Sequence, residues 1–473
     1  MALVLILNVA VAFEVGAVTD EEIYAGLRFS GQAPGGRLAG MGGAGLALVD
    51  DAGAAHLNPA RLCAINAPEL VIEATNRSRS ATSTHSDFFR FDTSVNSINR
   101  FAGASFRTVE TPDDEMTPAF LAYAHPLKLR SRPVVLALSR TAALDTSFSA
   151  RSVNLTTPLL PSITPSAGDV VRRISEGHID ADLELYDLSA GWRLTPSFSV
   201  GGALILGRLQ LSSRTVGLLA DPLQFTGPGM FDPRFSGSAA APLVETSSDG
   251  NDTDVAFSFG AWWRPHRDFS VATVYRQGTR FGVEAVSRDL ATGARQAFVN
   301  VIKEPDVASV GLAWTPFGRS SSTNLQTLTF ALDLSRVEYS DVLAGLRTGE
   351  NVLTRSDFIR DVSYTADDAV EARLGMEYRR SFLTWTLAWR GGVYTEHDAG
   401  IHLTRAAGDV GALQGQARAM SQGEFFPGRD TELHGTLGVG ARFYSVGFDL
   451  GVDLAEDYEQ ASVSMTWRLG EGR

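Results

Sequence analysis

Apolar and polar residues alternate along most of the chain, the period that puts successive side chains on opposite faces of a β-strand. Leu328, Phe330, Leu332 and Leu334 alternate with Thr327, Thr329, Ala331, Asp333 and Ser335. Ala372, Leu374, Met376 and Tyr378 alternate with Glu371, Arg373, Gly375, Glu377 and Arg379. Further on, Phe448, Leu450 and Leu454 oppose Asp449 and Asp453, and Val463, Met465 and Trp467 oppose Ser462, Ser464, Thr466 and Arg468. These stretches run to roughly 10–16 residues, where strands of soluble sheets run to about 5–6. One face stays apolar with aromatics near its ends, while the other carries glycines and charges of both signs. A lipid-facing band around a polar lumen has that pattern. A soluble antiparallel sheet with one wet face is the competing reading. Many long strands in succession, joined by tight turns such as those at 194–197, 264–267 and 379–381, favour an all-β transmembrane antiparallel barrel.

The pattern predicts 14 strands, near 67–80, 115–127, 132–147, 179–194, 197–213, 253–265, 268–288, 298–316, 326–342, 365–379, 382–396, 432–443, 445–455 and 460–469. A further strand-like piece at 98–109 is either part of a loop hairpin or one of an extra pair that would make about 16, an even number as bacterial barrels have. Long external loops are expected at 148–178, 214–252, 343–364 and 397–431, within a barrel covering 67–473.

The first 13 residues, Met1 to Phe13, are apolar and followed by small residues, as in a secretory signal over 1–17. No Lys or Arg precedes Arg28, so either the true start lies upstream or this is an N-terminal strand or buried segment. Composition removes several chemistries. The net charge of -13 disfavours nucleic acid. Cys63 is the lone cysteine, which excludes a disulfide framework or a cysteine-based zinc site. The eight histidines are scattered with no esterase or zinc-protease motif around them. The reading is of a protein that is not an enzyme and has neither cofactor nor metal. Asp50 and Asp51 are adjacent carboxylates without further oxygen ligands, better suited to hydrogen bonding than to an ion.

Residues 30–63 do not alternate, and small residues dominate them. Gly40-Met-Gly-Gly-Ala-Gly45, then Asp50-Asp51-Ala52, then Asn58-Pro59-Ala60 resemble, in that order, the hatch of the FadL-like outer-membrane transporters of long-chain fatty acids and aromatic hydrocarbons. Weaker likeness continues through Glu184–Leu194, Glu304–Trp314 and Leu328–Leu334. The resemblance implies an N-terminal hatch over 18–66, plugging the lumen of a 14-stranded barrel, with Gly42, Gly43, Asp50, Asp51, Asn58, Pro59 and Ala60 in the gating segment. It implies passive uptake of fatty acids or similar hydrophobic molecules by a monomer integral to a Gram-negative outer membrane, in contact with its lipid and lipopolysaccharide. A related group of outer-membrane scaffold proteins shares the Gly-rich and Asn-Pro-Ala pattern, so a non-transporting scaffold is the alternative. One departure stands out: Val134–Ser139 has no glycine where the family's third strand kinks inward to open the wall.

Two of the long loops are apolar where polar residues are expected. Leu159, Leu160 and Ile163 lie in the first, and Leu218, Leu219, Phe225 and Phe231 in the second. Such residues either capture an apolar ligand or pack together to close the barrel mouth. In the lumen, Arg373 and Arg390 are the candidate contacts for a ligand carboxylate, although Glu371, Glu377, Asp333 and Asp449 share their face.

Overall fold

A computed structural model describes residues 34–79, 82–93, 98–110, 116–129, 132–156, 171–220, 241–290, 292–321, 324–343, 362–365, 367–397, 402–406, 431–456 and 458–470. Two single-turn helices, α1 (Gly36–Ala39) and α2 (Ala54–Leu57), and a 3-10 helix (Pro59–Ala64) precede the strands. The strands begin with β1 (Glu69–Arg79), β2 (Thr82–Thr93), β3 (Ile98–Glu110), β4 (Thr117–Leu129) and β5 (Arg132–Thr156). Next come β6 (Val171–Thr195), β7 (Phe198–Ala220), β8 (Ala241–His266), β9 (Phe269–Arg276), β10 (Arg280–Asp289) and β11 (Arg295–Lys303). β12 (Val307–Ser321), β13 (Asn324–Val337), β14 (Val362–Thr365), β15 (Ala369–Ser381) and β16 (Trp385–Glu396) follow. The last are β17 (His402–Ala406), β18 (Glu432–Phe443), β19 (Val446–Leu454) and β20 (Tyr458–Arg468).

Following the antiparallel ladders, β1 pairs with β4, and the order continues β5, β6, β7, β8, β9, β12, β13, β15, β16, β18, β19 and β20. β20 returns to β1, from Glu69↔Arg468 to Arg79↔Tyr458, and closes a ring of 14 strands. Closure leaves the ring itself without a free edge, the condition for crossing lipid with strands. The segment at 98–109 is therefore not a ring strand. It is β3, half of a hairpin with β2, which pairs with the outer end of β5.

Two predicted strands are corrected. The spans 268–288 and 298–316 each break in two, giving β9 with β10 and β11 with β12. β9 pairs directly with β12, and the β10–β11 hairpin stands beyond them against the outer end of β8. At the break Gly278 crosses so close to Glu304 that an added Cβ would lie 1.9 Å from its carbonyl oxygen. Apolar residues hold odd positions on both sides of the crossing, at Phe269, Val271, Tyr275, Phe281 and Val283, but the face they occupy reverses, Tyr275 being exposed and Phe281 buried, so the sequence period could not mark it. The expected loops 148–178 and 214–252 are also shorter than predicted, because β5, β6, β7 and β8 extend into them.

Outward positions are apolar and bare: Leu204 is 55% exposed, Phe259 60% and Leu437 70%. Trp192, Trp263, Trp314, Phe443, Tyr444 and Trp467 join this surface near the short turns. An apolar belt of that extent, edged by aromatics, is a lipid-contacting surface. Along β5, the glycine-free stretch Val134–Ser139 is paired on both sides, to β4 and to β6. The irregularity of this strand lies farther out, where its register with β6 shifts between Ala142 and Leu144.

Candidate functional site

Residues 34–65 run inside the ring, near its short-turn end, and the wall is shaped for them. Inward glycines recur on strand after strand at this level. An added Cβ at Gly451 of β19 would lie 2.6 Å from the Gly36 carbonyl oxygen, and one at Gly438 of β18 2.9 Å from Gly40 Cα. The corresponding approaches are 2.3 Å from Met41 at Gly392 of β16, 2.6 Å from Leu46 at Gly311 of β12 and 2.3 Å from Asn58 at Gly260 of β8. At Gly201 of β7 it would be 2.3 Å from Pro59. At Gly451, Gly438, Gly392 and Gly201 the neighbour is backbone, and at Gly311 and Gly260 it is the Leu46 Cβ and the Asn58 Oδ1, so a larger residue would displace the segment.

A segment with so little regular structure leaves its own N–H and C=O groups unpaired, and the wall supplies the partners. Asp333 accepts from the backbone N–H of Gly45 at 2.6 Å and of Leu46 at 3.0 Å. Glu73 accepts from Gly35 and Glu69 from Ala52, at 2.7 and 2.8 Å. In the other direction Ser189 donates to Ala55 O, Ser199 to Ala60 O and Trp262 Nε1 to Ala47 O. The carboxylate bonds are charge-assisted and are the stronger members of this set.

The sequence-predicted hatch residues all lie in this segment. Gly42 and Gly43 have φ of 65° and 73°, the left-handed region that favours glycine. Asn58 is fully buried; its Nδ2 donates to Leu46 O at 2.9 Å and its Oδ1 accepts from Ala60 N at 3.1 Å, capping the 3-10 helix that Pro59 begins. It thereby ties the Leu46 turn to the Pro59 turn. Burial raises the Asp50 carboxyl, but Arg37, then Arg379 and Arg61, outweigh it and hold the group below the usual carboxylate range. For Asp51, burial and the Asp50 charge prevail and raise it.

Arg37 extends this network to Glu377 of β15, with Nε at 3.0 Å from Oε2. Glu377 also accepts from Arg379 at 2.7 Å and from Arg390 at 2.8 Å. Arg390 further pairs with Asp449 at 2.7 Å, and Arg373 donates to Glu371 at 3.1 Å. Both proposed carboxylate contacts are thus engaged by carboxylates of the wall itself. Of the loop residues, Leu159, Leu160, Ile163, Phe225 and Phe231 lie outside the described residues. Leu218 and Leu219 fall in the outer end of β7, opposite Ile174 and Arg173 of β6.

Beyond the inner segment, toward the long loops, the lumen changes character. Ile179, Leu183 and Leu185 of β6, Ile205, Leu209 and Leu211 of β7, and Ala143 and Leu144 of β5 form one buried apolar cluster. Phe281 and Val283 of β10, Ile302 of β11, Val337 of β13 and Tyr339 and Val342 after it also belong to the cluster, with Ala181, Ala256 and Ala369. The floor between cluster and segment is polar. His56 of α2 meets Asp187 of β6 at 2.8 Å, Thr141 of β5 at 3.2 Å and Arg276 of β9 at 3.4 Å. Strand registers place this group one inward position below the cluster: Thr141 precedes Ala143, Asp187 follows Leu185, and Arg276 faces Val307, which packs against the cluster.

The sequence reading missed the glycine belt, the carboxylate anchors Glu69, Glu73 and Asp333, the apolar cluster and its polar floor. One signal was available for the cluster. Alternation fails at Leu204-Ile205-Leu206, where both faces of a strand are apolar.

Ring and apolar belt together define a transmembrane β-barrel, and residues 34–65 pack against its inward face. Among solved structures, the chain is similar to a FadL homologue from Pseudomonas aeruginosa, with TM-score 0.49, 13% identity and coverage of 93% of this chain and 99% of that one. It is likewise similar to the CymD monoaromatic hydrocarbon channel, with TM-score 0.47, 14% identity and the same coverages. The toluene transporter TbuX of Ralstonia pickettii gives TM-score 0.46 and 13% identity, again over 93% and 99%. No protein-family profile matches the chain, nor does any curated protein sequence.

Proposed function

We propose that this protein is an outer-membrane channel for the passive uptake of long-chain fatty acids or similar hydrophobic molecules, gated by its inner segment. The observation that carries the reading is the apolar cluster on the loop side of the barrel, set above that segment across a polar floor. A buried aliphatic region above a polypeptide stopper suits a ligand that must leave water before it crosses. Leu159, Leu160, Ile163, Leu218, Leu219, Phe225 and Phe231 in the long loops gather the ligand and the cluster receives it. Rearrangement around Asn58-Pro59-Ala60 then opens the way. Binding shifts the segment only by its differential affinity for the open arrangement, so the closed one is only marginally favoured. The protein acts as a monomer within lipid and lipopolysaccharide.

The test is native mass spectrometry with lipid extraction on the detergent-purified barrel, comparing wild type with Leu183→Asp/Leu209→Asp and with Leu218→Asp/Phe225→Asp. The reading expects a co-purifying fatty acid or hydrocarbon that the cluster variant loses. Absence of any apolar ligand from folded wild-type protein would favour a non-transporting scaffold.

A further inference from the structure

At the long-loop end of β16, β18 and β19, one imidazole sits among three carboxylates. Glu396 and Glu432 stand directly opposite each other in the β16–β18 ladder, at the root of the connection between the two strands. Like charges in a cross-strand pair repel, so the pair is unfavourable unless a cation lies beside it. His434 is one inward residue farther along β18. Its Nε2 lies 3.2 Å from Glu396 Oε2 and 3.9 Å from Glu432 Oε2, and its side chain is fully buried.

The ring is held in one orientation. It stacks on Tyr394 with centroids 4.3 Å apart and meets Tyr458 edge-on at 5.3 Å. Nδ1 lies 3.1 Å from Asp453 Oδ1, while Asp453 Oδ2 accepts from Tyr394 Oη at 2.6 Å. A carboxylate at Nδ1 keeps the proton there, which leaves the lone pair of the neutral ring on Nε2. Nε2 is buried and makes no hydrogen bond, despite the approach of Glu396. An imidazolium bridging these carboxylates would donate through both nitrogens; this ring bonds through one.

A carboxylate on one ring nitrogen, with the other nitrogen turned toward anionic oxygens, is the setting of a metal-binding histidine. The 3.2 Å between Nε2 and Glu396 Oε2 is close to the edge of a tetrahedron whose bonds are about 2.0–2.1 Å long. Glu396 and Glu432 are 31% and 22% exposed, so both can turn toward an ion and water can reach it. A second carboxylate group, Asp306, Glu338 and Asp341, differs in having its cation built in. There Lys303 Nζ pairs with Asp306 at 3.1 Å and with Asp341.

We propose that His434, Glu396 and Glu432 bind a divalent transition-metal ion of the zinc class, with water completing the coordination and Asp453 fixing the tautomer of His434. The ion ties β16 to β18 where the connection between them begins and ends. Scatter of the histidines along the sequence hid this group, because only the ladder brings Glu396 beside His434.

Isothermal titration of Zn2+ into the untagged, EDTA-stripped, detergent-purified full chain tests it at neutral pH, with D453N and E396Q/E432Q beside wild type. Heat-modifiable gel mobility verifies that each barrel is folded. Wild type is expected to bind one ion per chain and to melt at a higher temperature with Zn2+ than without it. D453N should lose about 10–100-fold in affinity, as outer-sphere carboxylate variants do, and E396Q/E432Q should lose more. Folded wild type that takes up no Zn2+, or holds it no more tightly than E396Q/E432Q does, overturns the site and leaves the group a salt bridge of the imidazolium with its carboxylates.

Discussion

The two halves of the lumen solve different problems with the same strands. Near the short turns the inward face offers glycines, serines and carboxylates that meet backbone groups of residues 34–65, together with the Glu377 pairing to Arg37 and an apolar patch around Val71, Phe120 and Val135. Toward the long loops the same strands turn aliphatic on the inside: β6 passes from Gly191, Ser189 and Asp187 to Leu185 and Leu183, and β7 from Ser199 and Gly201 to Ile205 and Leu209. The first half is complementary to polypeptide, with direction and register. The second is held together by hydrophobic burial, which is non-directional.

The largest effect is expected from filling the glycine belt. Gly392→Val and Gly201→Val would drive a methyl-bearing carbon into the Met41 and Pro59 backbone, an overpacking cost of about 1–3 kcal/mol or more. The segment should leave the bore while the ring persists, and permeability of liposomes to small hydrophilic sugars should rise. Gly435→Val, where nothing lies within 4 Å of an added Cβ, is the matched control and should be silent.

In the other half, Leu209→Ala should cost about 2–5 kcal/mol by opening a buried cavity. It should lower the melting temperature without raising sugar permeability. If permeability rises as it does for Gly392→Val, the two halves are not separate in the way described. Smaller again, Asp333→Asn weakens two charge-assisted bonds and should cost about 1–2 kcal/mol. Faster hydrogen exchange at the Gly45 and Leu46 amides, with Leu209 and its neighbours unaffected, would report it.

The smallest effect is the pH response. Asp50 is held below its ordinary range in the folded protein, so its contribution to anchoring is complete above the ordinary carboxylate pKa of about 4 and is lost as pH falls from there toward the lowered folded value. Amide protection around Arg37 and Asp50 should therefore fall progressively below about pH 4. Asp51, raised by burial and its neighbour, opposes this and keeps the slope shallow. Asp50→Asn should flatten it further.

Much of the ring was legible because lipid outside and polar lumen inside enforce a strict period of two at Leu328–Ser335, Glu371–Arg379 and the C-terminal strands. What the period could not show is pairing. It could not tell that β9 skips a hairpin to reach β12, or that β3 lies outside the ring, because both leave alternation intact. The β2 sequence puts His85 and Asp87 on one parity and Ser86 and Arg90 on the other, so it has no apolar alternation and gave no signal. Asn58, Pro59 and Ala60 were readable as a local motif. Their counterparts Gly191, Gly201 and Gly260 were not, since one glycine in a strand means little until registers align it with others. His56 and Arg276 meet across 220 residues of sequence, and no local pattern joins them.

The most direct test of a ligand seat standing on a stopper is a crystal structure of the protein soaked with a long-chain fatty acid brominated at its terminal carbon. The account predicts anomalous bromine density among Leu183, Leu209, Phe281 and Val337, with residues 34–65 still in the bore or displaced from Asn58. Density confined to the outer belt, with the cluster unchanged, would contradict it.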